Sequence, residues 1–185
     1  MTYFKFNREK ALAAILFISK KLIKRLGNQG PDIHKIFKIL YFADQKHLAR
    51  YGRFIVGDHY IAMGDGPVPS KIYDMVKIVR GDSLVQDTMD LTQYFRVSRH
   101  FVYPKQEPEM DEFSQSDLEC IAESLRENQD LSFNELKEKS HDSAYESADR
   151  NDIISYREMA KVAGAKYAML TYIQCLSENE RILHK

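Results

Sequence analysis

The sequence predicts a mainly α-helical fold of the α+β class, a compact multi-helix domain with a small antiparallel β element. Two observations predict it. Apolar residues recur at helical spacing in several long segments, which begin with capping residues and end at glycines. Only a few short segments have the β-branched and aromatic content of strands. With 185 residues, 44% hydrophobic and 29% charged, the composition is that of an ordinary globular protein, and we expect a single domain over 1–185.

The charge balance and the cysteines narrow the class of protein. The 27 basic and 27 acidic residues cancel, so no overall field attracts nucleic acid or a membrane surface. No apolar segment approaches the roughly 18 residues of a membrane-spanning helix, and the N-terminus lacks a signal-peptide pattern. Cys120 and Cys175 lie in helical segments without C-x-x-C spacing, which predicts two reduced, buried thiols. We therefore expect a cytoplasmic protein without membrane contact.

The first helix is predicted from Arg8 to Leu26, with Asn7 as its N-cap and Gly27 as its stop. Its last turns carry a basic cluster, which consists of Lys20, Lys21, Lys24 and Arg25. Positive charge at this end suits the helix dipole. A phosphate-binding patch is the alternative, and the neutral chain does not favour it.

The second helix is predicted to begin after the N-cap Asp32 and to end at Gly52. Asp44 falls on its apolar face, where an unpaired carboxylate would cost several kcal/mol. The unpaired N–H groups at the start of a third helix, predicted from Ser70 to Arg80, are one candidate partner, and His47 is the other. We expect a structural polar centre made of Asp44, His47, Tyr60, Gly66, Pro67, Pro69, Ser70 and Tyr73.

The strand signals are short. Residues 54–63 are predicted as one bent strand or two short ones, and 66–69 as a proline-containing turn before the third helix. Residues 94–97 and 101–103 flank Ser98-Arg99-His100 as a hairpin would. These three pieces could form one small antiparallel sheet laid on the helices.

The C-terminal third is predicted to consist of short helices. The capping-box pattern S-x-x-[DE] occurs three times before apolar-periodic segments, and it starts at Ser114, Ser132 and Ser155. A final helix is predicted over 165–184.

Residues with catalytic or metal-binding chemistry are present, but they match no established motif. Asp44, His47, Asp58 and His59 could supply a carboxylate–imidazole metal site, as in a metal-dependent hydrolase. Because the chain has no H-E-x-x-H motif and no cysteine cluster, hydrogen-bonded Asp–His pairs are the favoured interpretation. The sequence offers no set of nucleophile, base and oxyanion donors. We expect no catalytic residue, metal or cofactor, and thus a binding protein instead of an enzyme.

Four strings occur in the order KILYFAD, HLARYG, GDHYIAMGDGPVPSKIYD and LSFNELKEKSHDSAY. Together they resemble the Panacea antitoxin domain family, which includes the SocA-type antitoxins, over residues 8–165. The resemblance implies a bacterial or phage-associated antitoxin of a type II toxin–antitoxin system, which neutralises a cognate protein toxin by direct binding. Within the SocA-type branch it also implies an adaptor that presents the toxin to a protease or its unfoldase.

The resemblance also bears on DNA. Some members of the family are fused to helix-turn-helix regions, but this chain has no spare segment for one. We therefore do not expect DNA binding by this chain alone. A transcriptional regulator and a metal-dependent hydrolase are the alternative functions.

Two surfaces are candidates for binding the partner. The predicted hairpin brings together Arg96, Arg99, His100 and Phe101, and arginine and aromatic side chains dominate interface hot spots. A solvated hairpin edge whose arginines only discourage aggregation is the alternative. Phe42 lies on the second helix opposite Asp44, and it is either covered by another helix or an exposed anchor.

Overall fold

Eight α-helices and two β-hairpins make up the described part of the computed structural model, which comprises residues 4–25, 27, 29–83 and 89–183 without the side chains of 177–183. The helices are α1 Arg8–Ile23, α2 Ile33–Tyr51, α3 Ser70–Arg80, α4 Gln115–Asn128, α5 Phe133–Ser140, α6 Ser143–Glu146, α7 Tyr156–Val162 and α8 Tyr167–Leu183. The strands are β1 Tyr60–Met63, β2 Gly66–Pro69, β3 Phe95–Ser98 and β4 Phe101–Pro104. The predicted fold class, mainly α with a small antiparallel β element, is confirmed.

The helices begin where the capping residues predict. The side chain of Asn7 accepts from the backbone N–H of Lys10 at the start of α1, and Asp32 caps α2 in the same way. Ser114 and Ser132 form complete capping boxes with the acidic residues three positions later. Ser155 is the N-cap residue of α7 but makes no side-chain capping bond, so the third predicted box is wrong.

The helix ends differ slightly from the predictions. Gly52 ends α2 in the left-handed conformation, with φ of 70°, as predicted. The α1 helix ends at Ile23, and Leu26, its predicted end, lies outside the described residues, as does residue 184 after α8. Among the described residues, none of the helices combines the length and the apolar character that a membrane-spanning helix requires.

The first hairpin contains a strand that the sequence analysis predicted as a turn. β1 and β2 pair antiparallel, from Tyr60 opposite Pro69 to Met63 opposite Gly66. On the other edge of β1, the backbone groups of Tyr60 and Ala62 bond to residues 151–154. In an antiparallel pair, two residues that face each other point their N–H and C=O groups either both toward the partner strand or both away from it. Since Tyr60 and Ala62 point these groups away from β2, the facing residues Pro69 and Pro67 point their backbone groups away from β1. Their missing N–H groups therefore break no bond of the hairpin.

The second hairpin agrees with its predicted position, but it pairs with neither β1 nor β2. One predicted sheet is thus two separate hairpins. In β3 and β4, Phe95 and Val102 are buried, whereas Arg96 is exposed and lies 3.8 Å from the centre of the Tyr103 ring. Backbone bonds tie β4 to the residues just before and at the start of α2, where Val102 donates to the carbonyl of Pro31 at 3.0 Å.

The long α2 helix is shared by two hydrophobic clusters. Its N-terminal half packs with α1, α3, α4 and the second hairpin, through residues such as Ile36 and Leu40. Its C-terminal half packs with β1 and the helices α5–α8, through Tyr41, Phe42 and Leu48. A helix buried by two clusters is covered on more than one side. This explains why α2 places polar side chains such as Asp44 and Lys38 in the interior.

The two cysteines differ in exposure. Cys120 in α4 is buried, and Cys175 in α8 is exposed; both are free thiols. The prediction that both are buried is therefore wrong for Cys175, since α8 covers the core mainly with Leu170 and Ile173.

Candidate functional site

Asp44 lies at the centre of α2 with no solvent exposure, as its place on the apolar face predicts. Its two oxygens accept hydrogen bonds from the backbone N–H of Ile55, at 2.8 Å, and from the hydroxyl of Tyr60, at 2.6 Å. Burial raises the pKa of Asp44 to about 7, although both bonds act in the opposite direction. The carboxylate thus joins α2 to the segment after Gly52. The predicted partners, the start of α3 and His47, are wrong.

Asp58 performs the role that the sequence analysis gave to Asp44. The N-cap residue of α3 is Pro69, which has no side-chain acceptor. Asp58 reaches the open N-terminus instead and accepts from the backbone N–H groups of Lys71, at 3.0 Å, and Ile72, at 2.9 Å. Burial raises the pKa of the Asp58 carboxyl against these bonds. A buried acid that caps a helix from outside it leaves no local sequence pattern, so this role could not be predicted from the sequence.

His47 connects α2 to α4, and its ring nitrogens face partners other than Asp44. Its Nδ1 lies 2.9 Å from the carbonyl of Arg53, and its Nε2 lies 3.0 Å from Ser116 Oγ and 3.2 Å from Asp117 Oδ1. Burial opposes ionisation of Asp117, but hydrogen bonds from His47, Lys10 and Ser114 outweigh it and hold the pKa of Asp117 well below its usual range.

The four residues of the metal hypothesis do not assemble. His59 Nδ1 is 3.9 Å from Asp58 Oδ1, beyond hydrogen-bond distance, while Asp44 and His47 each bond elsewhere. Within the described ranges, no three His, Cys, Asp or Glu side chains are grouped so that they could hold a metal ion. The geometry therefore does not support the metal-dependent hydrolase alternative.

Lys38 is the polar residue of this region that the sequence analysis missed. It is fully buried, and its Nζ donates to the carbonyl of Pro67 at 2.8 Å. Burial lowers the pKa of Lys38 to about 7; the charge of Asp65 opposes this shift, and that of Lys137 adds to it. This hydrogen bond pairs a carbonyl on the edge of β2 that faces away from β1, and it joins β2 to α2.

Gly66 makes this close approach possible. Its φ is +98°, a left-handed conformation that side chains disfavour. A Cβ at this position would lie 2.7 Å from Lys38 Nζ and 2.6 Å from Ser140 Oγ. The predicted polar centre is therefore two centres, one at Asp44 and Tyr60 and one at the Pro67 carbonyl.

Two other predicted members of the centre lie in α3 near its start. Ser70 is the first residue of α3, and its backbone N–H donates to the carbonyl of His59 at 3.0 Å. Tyr73 is half-buried, with its ring edge-on to Phe37 at 5.9 Å between centroids. Neither side chain reaches Asp44 through a bond that the structure records, so they belong to the packing around α3.

A surface groove of about 830 Å³ lies where α2, the first hairpin, α3, the second hairpin and α5 meet. We call it the Phe133 groove, and its aromatic and basic lining is His34, Phe37, Tyr73, Arg80, His100 and Phe133. Phe133 is 46% exposed, and its ring lies 4.2 Å from that of His34. His100 Nε2 lies 3.5 Å from Asp32 Oδ2 at another point of the lining.

The predicted partner-binding residues have different surroundings. His100 lines the Phe133 groove, Arg99 occupies the turn beside it with φ of 57°, and Phe101 is half-buried. Arg96 is exposed on the outer face of the hairpin. Phe42 is only 6% exposed and packs in the second hydrophobic cluster, under the ammonium of Lys139 at 4.9 Å. The alternative of an exposed anchor at Phe42 is therefore wrong.

Comparison with known proteins identifies a family that the chain matches. The family described as antitoxin SocA-like, Panacea domain, matches residues 36–146. This segment runs from the first turns of α2 to the end of α6 and contains Asp44, Asp58, Lys38 and both hairpins. No curated protein and no solved structure matches the chain.

Proposed function

Because the chain belongs to the SocA-like Panacea antitoxin family, we propose that it neutralises a cognate protein toxin by binding it directly. The observation that carries the proposal is the family match, which covers more than half of the chain. An antitoxin of this kind acts through a contact surface and needs no catalytic group. The described residues offer such a surface, while the buried acids and lysine serve to hold the domain together.

We further propose that the Phe133 groove is part of the toxin-binding surface. Aromatic side chains and an arginine converge on it, and residues of these types are enriched at interfaces and their hot spots. Phe133 is an exposed aromatic side chain at the start of a helix held by a capping box, so its position is well ordered before binding. Arg99 and His100 extend the surface onto the second hairpin.

The test uses the product of the adjacent open reading frame as the toxin. Expression of that product alone should arrest growth, and co-expression of this chain should restore growth and allow both to purify together. Phe133→Ala should weaken the complex about tenfold or more, as hot-spot truncations do. Tyr167→Ala is the matched control, since Tyr167 is 81% exposed on α8 and lies outside the family match.

Two negative results have different meanings. If the toxin arrests growth but this chain neither restores growth nor co-purifies with it, the proposed function is wrong. If the complex forms but Phe133→Ala and Arg99→Glu both bind as tightly as the wild type, only the placement of the surface is wrong. Circular dichroism melting of each variant separates loss of binding from loss of folding.

A finer proposal concerns the fate of the bound toxin. The relationship to SocA-type antitoxins supports an adaptor role, in which this chain presents the toxin to a protease or its unfoldase in the cytoplasm. Toxin levels after translation is blocked should then fall faster when this chain is present. A toxin that persists longer in the complex than alone would contradict the adaptor role and leave direct neutralisation intact.

A further inference from the structure

A second groove, of about 780 Å³, lies between the C-terminal half of α1 and the segment 104–110. We call it the lysine groove. Its apolar lining is Phe17, Ile23, Pro104, Pro108 and Met110, and Met110 is 41% exposed. It shares no lining residue with the Phe133 groove, and α1 lies outside the segment that the family match covers.

The charges of the lysine groove are unbalanced. Lys20, Lys21 and Lys24 line it, and Glu107 is the single acidic residue among the described residues of its lining. Lys21 and Lys24 are exposed and have no carboxylate partner among the residues that the structure describes. The dipole of α1 accounts for lysines at the end of the helix, but it does not account for an apolar groove beside them.

Glu107 shows which chemistry the groove accepts. Its carboxylate pairs with the ammonium of Lys20, and the Glu107 side chain is 85% exposed. An ion pair this exposed contributes little, about 0–1 kcal/mol, and a carboxylate from another molecule can replace it. The chain therefore places one of its own carboxylates where a partner's carboxylate would bind.

We propose that the lysine groove is a second docking site, whose occupant is an acidic linear segment of a partner protein, with carboxylates on either side of an apolar side chain. The carboxylates pair with Lys21 and Lys24 and displace Glu107 from Lys20, and the apolar side chain enters between Ile23 and Met110. The site acts independently of toxin binding at the Phe133 groove.

A nucleic acid fits the lysine groove less well than an acidic peptide. Binding to a phosphate backbone rests on many cations, whereas this groove has three lysines and the chain as a whole is neutral. Single-stranded nucleic acid also needs open aromatic faces for base stacking. Phe17 is the one aromatic residue of the lining, and its ring already carries the ammonium of Lys21 at 5.2 Å and packs against Phe113 at 5.9 Å.

The test measures fluorescence anisotropy of a short labelled peptide, with glutamates flanking leucine and phenylalanine, against the isolated full chain. A peptide with glutamine for every glutamate and a single-stranded oligonucleotide of equal length serve as competing probes. The glutamate peptide should bind at least about tenfold more tightly than either, and added salt should weaken its binding. Glu107→Gln should strengthen binding a few-fold, because it removes the competing carboxylate.

Charge reversal locates the site. Lys21→Glu with Lys24→Glu should reduce peptide affinity by about tenfold or more, while Lys166→Glu, at an exposed lysine outside the groove, should leave it unchanged. Equal affinity for the glutamate and glutamine peptides, or wild-type binding by the double variant, would overturn the proposal. Tighter binding of the oligonucleotide would also overturn it and identify a nucleic-acid site. Because no toxin is present, these outcomes do not affect the proposed antitoxin function.

Discussion

Replacing Asp44 with alanine removes the acceptor for two buried donors, the backbone N–H of Ile55 and the hydroxyl of Tyr60. Each buried donor left without a partner costs about 1–3 kcal/mol. The Asp44→Ala variant should therefore lose about 3 kcal/mol or more of unfolding free energy when wild-type Asp44 is protonated. This loss is a large fraction of the stability of an ordinary domain.

The loss should depend on pH, because burial raises the pKa of Asp44 from the usual 3.8 to about 7. Between these values the folded state holds a proton that the unfolded state has released. Protonation of Asp44 therefore stabilises the folded chain fully below pH 3.8, and this stabilisation is lost as the pH rises through about 7. At about 1.4 kcal/mol per pH unit, the wild type should lose roughly 2–3 kcal/mol from this group between pH 5 and pH 8.

Urea unfolding followed by far-UV circular dichroism measures both effects, since the chain has no tryptophan to report by fluorescence. The difference between wild type and Asp44→Ala should be largest at pH 5 and smaller by about 2–3 kcal/mol at pH 8. Asp74→Ala is the control: the Asp74 side chain is 50% exposed on α3, and its removal should change stability by no more than about 0.5 kcal/mol. Equal losses for both variants, or the same Asp44→Ala loss at both pH values, would refute the reasoning.

Two further predictions concern the contact between α2 and β2. Burial lowers the pKa of Lys38 from 10.5 to about 7. Between these two pH values the unfolded state binds one proton more than the folded state. The unfolding free energy of the wild type should therefore rise with pH by up to about 1.4 kcal/mol per pH unit. The Lys38→Met variant lacks the titrating amine, so its unfolding free energy should rise less with pH. Urea unfolding between about pH 7.5 and 9 measures this difference, and an equal change in unfolding free energy for the two proteins would contradict the prediction. Gly66→Ala would place a side chain on a residue with a φ of +98° and put its Cβ 2.6 Å from Ser140 Oγ. The variant should lose about 1–3 kcal/mol of unfolding free energy. Gly64→Ala meets nothing closer than 4.0 Å, so an equal fall in melting temperature for both variants would count against the strain at Gly66.

The sequence by itself determined the elements whose signals are local. Capping side chains act within three residues, so Asn7, Asp32 and Ser132 marked helix starts that the structure confirms. The α3 helix runs from Ser70 to Arg80 as predicted, between a proline and a glycine. The second hairpin was also predictable, because alternation of buried and exposed residues is a property of each strand alone.

Only the tertiary structure decided which polar groups meet in the interior. Helical periodicity predicted that Asp44 is buried, but its predicted partners were His47 and the start of α3, whereas the observed donors are Ile55 and Tyr60. Lys38 is buried because β2 and α5 cover its side of α2. Lys38 and Pro67 are 29 positions apart, and no local sequence signal indicates their contact. Periodicity shows which side of a helix is apolar, whereas the number of sides that are covered depends on how distant segments pack.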